Sequence, residues 1–298
     1  MLMANTKMTT LVNAKSVVQL IKEQAQKSVL LDATWYLPTE SNDGKREFFQ
    51  NRLPGARFFG IDEAKDHRIA LPHMLPPTEE FAAYVGNLGI DRNTNVIIYD
   101  RKGFFSSPRV YWTFKVFGHK NVFLFPNAFA DWKANGHGLE TENPSTPAKV
   151  NYEDAKINKS LVASFEDISQ VLKDPSKSNT RIIDARPQAR FTGTAPEIRP
   201  GMASGHIPTS INIPFTDLVK PGITEPKPTE ELEEIFAKHG LHDKSAPIIT
   251  SCGSGVTASV LFVALELCGF TNVRVYDESW SGYGQRALKD SSLLATGP

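Results

Sequence analysis

Cysteine is almost absent from this chain: Cys252 and Cys268 are the only two in 298 residues. Two thiols cannot make a disulfide framework, and so few suit a reducing compartment, cytoplasmic or mitochondrial. Net charge is absent as well, because 33 Lys and Arg balance 33 Asp and Glu. That balance argues against nonspecific binding of nucleic acid or of an anionic membrane surface. No apolar run approaches the length of a membrane span. A secretory h-region is missing from the N-terminus. The first acidic residue is Glu23, and Lys7, Lys15 and Lys22 precede it. This is a trait of mitochondrial presequences, but the segment lacks arginine and reads mostly as a first helix. The seven histidines and two cysteines show no metal-ligand spacing, so neither a metal nor another cofactor is expected.

What is present is enough chain for two domains, with a hydrophobic content of 40%. Helical spacing runs over 11–27. Short apolar strands follow at Val29–Ala33, Asn95–Asp100 and Asn121–Phe125, with helices from about Thr78 and about Pro108 between them. The polar stretch Glu40–Lys45 reads as a loop, and Pro72–Pro77 as a proline-bounded one. Residues 134–160 are rich in Gly, Pro, Asn and Lys and read as a linker. The chain then repeats itself. Asp184 lies 152 positions after Asp32, Cys252 lies 152 after Asp100, and Gly255 lies 152 after Gly103. So many matches at one spacing imply a duplicated α/β domain. The expected division is 1–140, a linker at 141–160, and 161–298. Each unit should be a mostly parallel sheet with helices on both faces.

The chemistry concentrates in Ile248–Leu261. An apolar strand leads into Cys252-Gly253-Ser254-Gly255, and an unbroken apolar run, Val260–Leu267, reads as a helix. A glycine loop between strand and helix N-terminus turns several backbone N–H groups toward one point. A cysteine at its mouth sits in a positive field that favours the thiolate. The first half has Asp100 at this position, and aspartate cannot carry a persulfide. One copy is therefore active and the other structural. Cys268, in Leu265-Glu266-Leu267-Cys268, reads as a small mid-helix core residue. A Cys-based phosphatase would need an arginine six residues after the cysteine; Ala258 occupies that position, so this reading fails.

The tandem layout, Asp184-Ala185-Arg186 with Arg190-Phe191, Ser204-Gly205-His206-Ile207-Pro208 and the Cys252 loop resemble the rhodanese-like sulfurtransferases over nearly the whole chain. The loop Cys252-Gly253-Ser254-Gly255-Val256-Thr257 is similar to that of the 3-mercaptopyruvate sulfurtransferases. Asp32–Pro38 and His73–Pro76 are similar too, including to members linked to tRNA thiolation. The resemblance implies two tandem rhodanese-like domains and a Cys252 nucleophile that becomes a persulfide. It implies substrate contacts from Gly253, Gly255, Val256 and Thr257, and carboxylate clamps at Arg190 and Arg199. It also implies a relay of Asp62, His73 and Ser254 that polarises the substrate carbonyl. Ile198 departs from the family, where proline is common. Arg186 reads as a structural partner of a nearby carboxylate, and His206 as a histidine holding a turn.

The reaction so implied moves sulfur from 3-mercaptopyruvate to Cys252, with release of pyruvate. Sulfur then passes to an acceptor: a small thiol, thioredoxin, cyanide or a sulfur-carrier-activating protein. Thiosulfate sulfurtransferases carry basic residues after the cysteine, suited to a dianion. Gly253 and Ser254 are uncharged and suit a monoanionic keto acid better. The alternatives are a thiosulfate sulfurtransferase and a non-catalytic persulfide relay.

Overall fold

A computed structural model describes residues 9–24 and 27–297 of the chain. The presequence-like character of the N-terminus falls partly on residues 1–8, outside the described residues. Two all-parallel sheets organise the rest, and the helices between their strands include α3 (Thr78–Asn87), α5 (Ala128–Ala134), α6 (Phe165–Lys173) and α8 (Thr229–Lys238). In the first half, β1 (Ser28–Asp32), β2 (Arg57–Phe58), β3 (Asn95–Tyr99) and β4 (Val122–Leu124) lie in the order β2-β1-β3-β4. In the second half, β5 (Val162–Ala163), β6 (Arg181–Asp184), β7 (Ile211–Asn212), β8 (Ile248–Ser251) and β9 (Val273–Tyr276) lie in the order β5-β9-β8-β6-β7. The two orders match strand for strand, with β1 equivalent to β6 and β3 to β8. The additional edge strand β5 also has a counterpart: Leu11 makes a single parallel bridge to Leu124. The duplication seen in the spacing is thus a duplication of topology. Parallel sheets need both faces covered, and β3 and β8 are accordingly buried at every residue.

The helices that follow β3 and β8 join the halves. α4 (Ser107–Val116) and α9 (Val256–Leu267) are buried nearly all round; α9 is almost wholly apolar, as suits a helix buried on every side, while α4 carries Arg109 and Lys115. Each packs on its own sheet and also on the other helix, so one apolar core runs through both halves. Polar ties bind the same contact. Tyr111 and Lys115 of α4 reach Glu266 of α9, both at 2.9 Å. The Trp112 indole N–H donates to the Leu161 carbonyl at 3.1 Å. Because α4 and α9 both start in this contact, the Asp100 loop and the Cys252 loop both lie at the junction of the halves.

Several expectations shift. The first helix, α1, spans Ala14–Gln24, so it starts three residues later than expected; residues 25 and 26 of the expected 11–27 lie outside the described residues. The supposed loop at Glu40–Lys45 runs into a helix, α2 (Gly44–Gln50), which starts where the Asp43 side chain accepts the Arg46 N–H. α9 begins at Val256, four residues before the unbroken apolar run. Cys268 is not within that helix but is its C-cap. Residues 141–158 contain no helix or strand, yet they are anchored. Val150 N–H donates to Gly86 O, and Tyr152 packs on Phe81 while its hydroxyl meets His119 Nδ1 at 3.0 Å.

Candidate active site at the junction of the halves

Cys252 follows β8 and is 2% exposed, with enough opening beside it for the partly exposed Gly253. Its Sγ accepts the Gly255 N–H at 3.2 Å. Gly255 has φ +81°, a left-handed conformation that folds the loop back over the sulfur and that glycine adopts without strain. The loop's carbonyls are tied away from the sulfur. Cys252 O accepts from Trp280 N–H and Gly253 O from Ser281 N–H, both at 2.9 Å, at the start of α10 (Ser279–Ala287). Cys252 N–H in turn donates to Ser279 Oγ at 3.2 Å. With the carbonyls engaged behind it, the loop turns its amide edge toward the sulfur. The first-turn amides of α9 have no acceptor within the helix, so they add to the same positive end.

The first half shows what such a loop receives. Asp100 Oδ1 accepts Gly103 N–H at 2.9 Å, the bond equivalent to Gly255 and Cys252. Its other oxygen, Oδ2, accepts the N–H groups of Phe105, Ser106 and Ser107 and the Ser107 hydroxyl, at 2.6–3.1 Å. Four amides and a hydroxyl thus surround a buried carboxylate. The positions equivalent to those outer donors in the second half are Thr257, Ala258 and Ser259, at the start of α9. Of the equivalent donors in the Cys252 cradle, the Gly255 N–H meets Cys252 Sγ, while the Ser259 hydroxyl donates to Gly255 O at 2.8 Å.

Two arginines stand by the cradle. A β-carbon on Gly253 would lie 3.2 Å from Arg190 Nη2, so that guanidinium lies directly against the loop. It arises from α7 (Gln188–Phe191). Glu197 pairs with Arg190 and also with Arg186, at 2.6 Å from Nη1 of the latter. Arg186 is itself buried, bonded to both oxygens of Asp184 and to Gly205 O, and it lies over the Trp280 ring. Arg186 is therefore the structural member, as its spacing suggested. Arg199 is near enough to Cys252, Arg190, Asp62 and Glu197 to sense each charge. Burial pulls its pKa below the ordinary value, while the Cys252 charge opposes that pull.

Asp62 and His73 come together across the first half's loops, with Asp62 Oδ1 3.1 Å from His73 Nδ1. The Trp35 indole donates to Asp62 Oδ2 at 2.7 Å, and its ring meets His73 edge-on at 4.8 Å. His73 is 2% exposed, and its Nε2 has no hydrogen-bond partner. Burial lowers its pKa; Asp62 acts against this, and Arg109 and Arg199 add to it. The Asp62 carboxyl, though raised by burial, is held below its ordinary pKa by His73 and Trp35. Ser254, buried beside Cys252, makes no hydrogen bond to His73. The acid and the histidine of the expected relay are thus in contact, and the link to the hydroxyl is not formed. Val256 is buried and Thr257 partly exposed at the first turn of α9.

His206 and Cys268, read from the sequence as structural, are both buried. The Phe191 carbonyl lies 2.8 Å from His206 Nδ1, and the Phe191 ring stacks on His206 at 3.8 Å, which holds the turn. Cys268 is buried, with a pKa pushed up to about 11 by that burial. Sequence reasoning missed Arg109, Asp277 and Ser279. Arg109 follows Ser106-Ser107-Pro108, Asp277 and Ser279 lie in the polar run Asp277-Glu278-Ser279, and none belongs to a recognisable spacing.

The model of the rhodanese-like domain matches residues 13–135 and 167–286. A probable 3-mercaptopyruvate sulfurtransferase of Schizosaccharomyces pombe is 68% identical over 98% of both chains. The thiosulfate sulfurtransferase of Gallus gallus is 39% identical over 87% of this chain and 86% of its own. SseA from Escherichia coli is a solved example of the rhodanese fold of 3-mercaptopyruvate sulfotransferases. It superposes with a TM-score of 0.80 at 35% identity, over 92% of this chain and 99% of that one. The chain belongs to the rhodanese-like family, as a tandem pair of rhodanese-like domains.

Proposed function

We propose that this chain is a 3-mercaptopyruvate sulfurtransferase with Cys252 as its nucleophile. The reading divides the chain at 1–140, 141–160 and 161–298 and assigns the chemistry to the last unit. The observation that carries it is the cradle comparison: a thiol occupies the loop whose twin, in the same chain, wraps a carboxylate with four amides. A persulfide's outer sulfur lies one bond beyond Sγ, as the Asp100 carboxylate oxygens lie one bond beyond Cγ. The amides at Thr257 and Ala258 are the ones suited to receive that outer sulfur.

In the first half-reaction, the Cys252 thiolate attacks the sulfur of 3-mercaptopyruvate. The S–S bond forms as the C–S bond breaks, and that electron pair leaves as the enolate of pyruvate. The enolate takes up the proton brought by the substrate thiol and becomes pyruvate, leaving Cys252–S–S⁻. Arg190 and Arg199 hold the substrate carboxylate, Arg190 with the guanidinium edge that Glu197 leaves free. Gly253, Gly255, Val256 and Thr257 line the rest of the cradle. Asp62 and His73, with the Ser254 hydroxyl brought into line once substrate is bound, polarise the carbonyl as negative charge develops there. In the second half-reaction, an acceptor nucleophile, a thiolate or cyanide, attacks the outer sulfur; the S–S bond breaks and its electron pair returns to Cys252 as the thiolate. Small thiols and thioredoxin fit this step, as do cyanide and a sulfur-carrier-activating protein of tRNA thiolation. The two free cysteines suit a cytoplasmic or mitochondrial setting. Among the described residues, no helix is long and apolar enough to cross a membrane.

The uncharged Gly253-Ser254 pair supports the keto acid over thiosulfate as donor. Purified protein given 3-mercaptopyruvate and a thiol acceptor should release pyruvate and sulfide faster than it consumes thiosulfate. Preferred turnover of thiosulfate would overturn the assignment of the donor. Full turnover by Cys252→Ser would overturn the mechanism.

A further inference from the structure

Arg109 on α4 and Asp277 just after β9 belong to different halves, and both are buried. Arg109 Nη2 lies 2.7 Å from Asp277 Oδ1 and also donates to the His73 carbonyl. Asp277 Oδ2 accepts the Leu75 N–H at 2.8 Å. The pair therefore grips the His73 loop on both sides of Met74, by a carbonyl and by an amide. The other arm of the guanidinium faces the Cys252 loop. A β-carbon on Gly255 would lie 2.6 Å from Arg109 Nη1 and 3.2 Å from Asp277 O. That Nη1 is buried without a hydrogen-bond partner.

We propose that Arg109 and Asp277 are positioning residues for sulfur transfer, a buried ion pair that fixes the His73 loop of one half against the Cys252 loop of the other. The inference rests on the sulfurtransferase reading above. His73 supplies an independent sign of such a grip, because its φ of +59° is a left-handed conformation that side chains other than glycine rarely adopt. Such a residue persists where its surroundings over-determine it, and here the two bonds to Arg109 and Asp277 do so. The pair cannot form within either half alone. Docking of the halves therefore assembles the geometry that places the Asp62–His73 contact beside the nucleophile. Arg109 also has an electrostatic effect on His73. The charged groups facing that ring are Asp62, Arg109 and Arg199, with Asp277 behind Arg109. The two arginines oppose its protonation, which keeps a neutral imidazole available to the relay.

The test uses the full-length protein with Asp277→Asn, Arg109→Lys and Arg109→Gln. In Asp277→Asn, hydrogen exchange at the Leu75 amide should quicken. Its kcat with 3-mercaptopyruvate should fall on the order of 100-fold, as for a misplaced catalytic group. KM should move little, because the carboxylate clamps Arg190 and Arg199 are untouched. Arg109→Lys should lower kcat without moving the acid limb of the pH profile, since the charge remains. Arg109→Gln should move that limb to higher pH, because His73 then gains a proton more easily. Wild-type kcat and an unshifted profile in folded variants would overturn the proposal, as would a rise in KM at constant kcat. If Asp277→Asn does not fold, Arg109→Lys decides through kcat and KM: wild-type kcat, or a rise in KM at constant kcat, overturns the proposal. A wild-type protein that does not turn over 3-mercaptopyruvate would instead overturn the sulfurtransferase reading, a separate result.

Discussion

Gly255→Ala should be costly in both stability and turnover, while Gly253→Ala, two residues earlier, should spare stability. The difference comes from what each new methyl meets. Gly255 sits at φ +81°, where a β-carbon costs roughly 1–2 kcal/mol from local sterics alone. The methyl would also come within 2.6 Å of Arg109 Nη1, a guanidinium buried between Asp277 and the Trp112 ring with little room to retreat. Crowding of a packed interior adds roughly 1–3 kcal/mol. The total is about 2–5 kcal/mol. Turnover should fall on the order of 10²–10³-fold, because the displaced amide is the one bonded to Cys252 Sγ. At Gly253 the methyl meets only the tip of Arg190 at 3.2 Å, and a partly exposed side chain can swing aside. Stability should stay within about 0.5 kcal/mol of wild type, and KM for 3-mercaptopyruvate should rise as Arg190 is displaced. Urea unfolding and steady-state kinetics on both variants check this. A Gly255→Ala protein as stable and as active as wild type would refute the loop geometry.

Arg190→Ala should raise KM for 3-mercaptopyruvate far more than it affects stability, because Glu197 keeps Arg186 as its partner. Arg186→Leu, which strands the buried Asp184 and Glu197, should cost roughly 3–5 kcal/mol in unfolding free energy. Replacing Gly253 and Ser254 by Arg and Lys should move the kcat/KM ratio toward thiosulfate, and an unchanged ratio would count against charge as the basis of donor choice. Two buried groups give opposite pH dependences. Burial lowers the pKa of His119 to about 4, so the unfolded chain binds its proton first and stability is lost as pH falls from 6.5 toward 4. Burial raises the pKa of Asp32 to about 6, so the folded chain holds that proton more tightly and stability is lost as pH rises from 3.8 toward 6. Each contribution is about 3 kcal/mol, and they largely cancel in the wild type. Denaturant melts should show stability rising with pH in Asp32→Asn and falling with pH in His119→Gln over this window. Equal slopes in the two variants would contradict both assignments.

Much of the fold was legible because the same signals occur twice. Val29–Leu31 and Ile182–Ile183 are short apolar runs closed by Asp32 and Asp184, and each reads as a buried parallel strand without help from its neighbours. The 152-residue offset then ties Asp100 to Cys252, which is the relation the two cradles share. The start of α9 was not legible, because Ser254, Gly255 and Thr257 look like loop residues. The helix nonetheless starts at Val256, with Gly255 as its N-cap and Thr257 in a first turn that faces the sulfur, where small residues fit. α2 was missed since Lys45-Arg46-Glu47 is polar and only Gly44 and Phe48 are buried within it; its one signal was Asp43 as N-cap. In the site, Cys252 could be read from strand, glycine loop and helix alone. Asp62, His73, Arg190 and Arg199 came from resemblance, since loop residues carry no periodicity. Arg109 and Asp277 lay beyond both routes. They are 168 positions apart, and only the docking of the halves joins them.

The most direct measurement is the intact mass of the protein after exposure to 3-mercaptopyruvate without acceptor, with pyruvate counted in the same tube. The expected result is one added sulfur per chain, located on Cys252, with one pyruvate released and no addition in Cys252→Ser. Pyruvate released without an added sulfur, or equal sulfur addition in Cys252→Ser, would contradict transfer through this thiol.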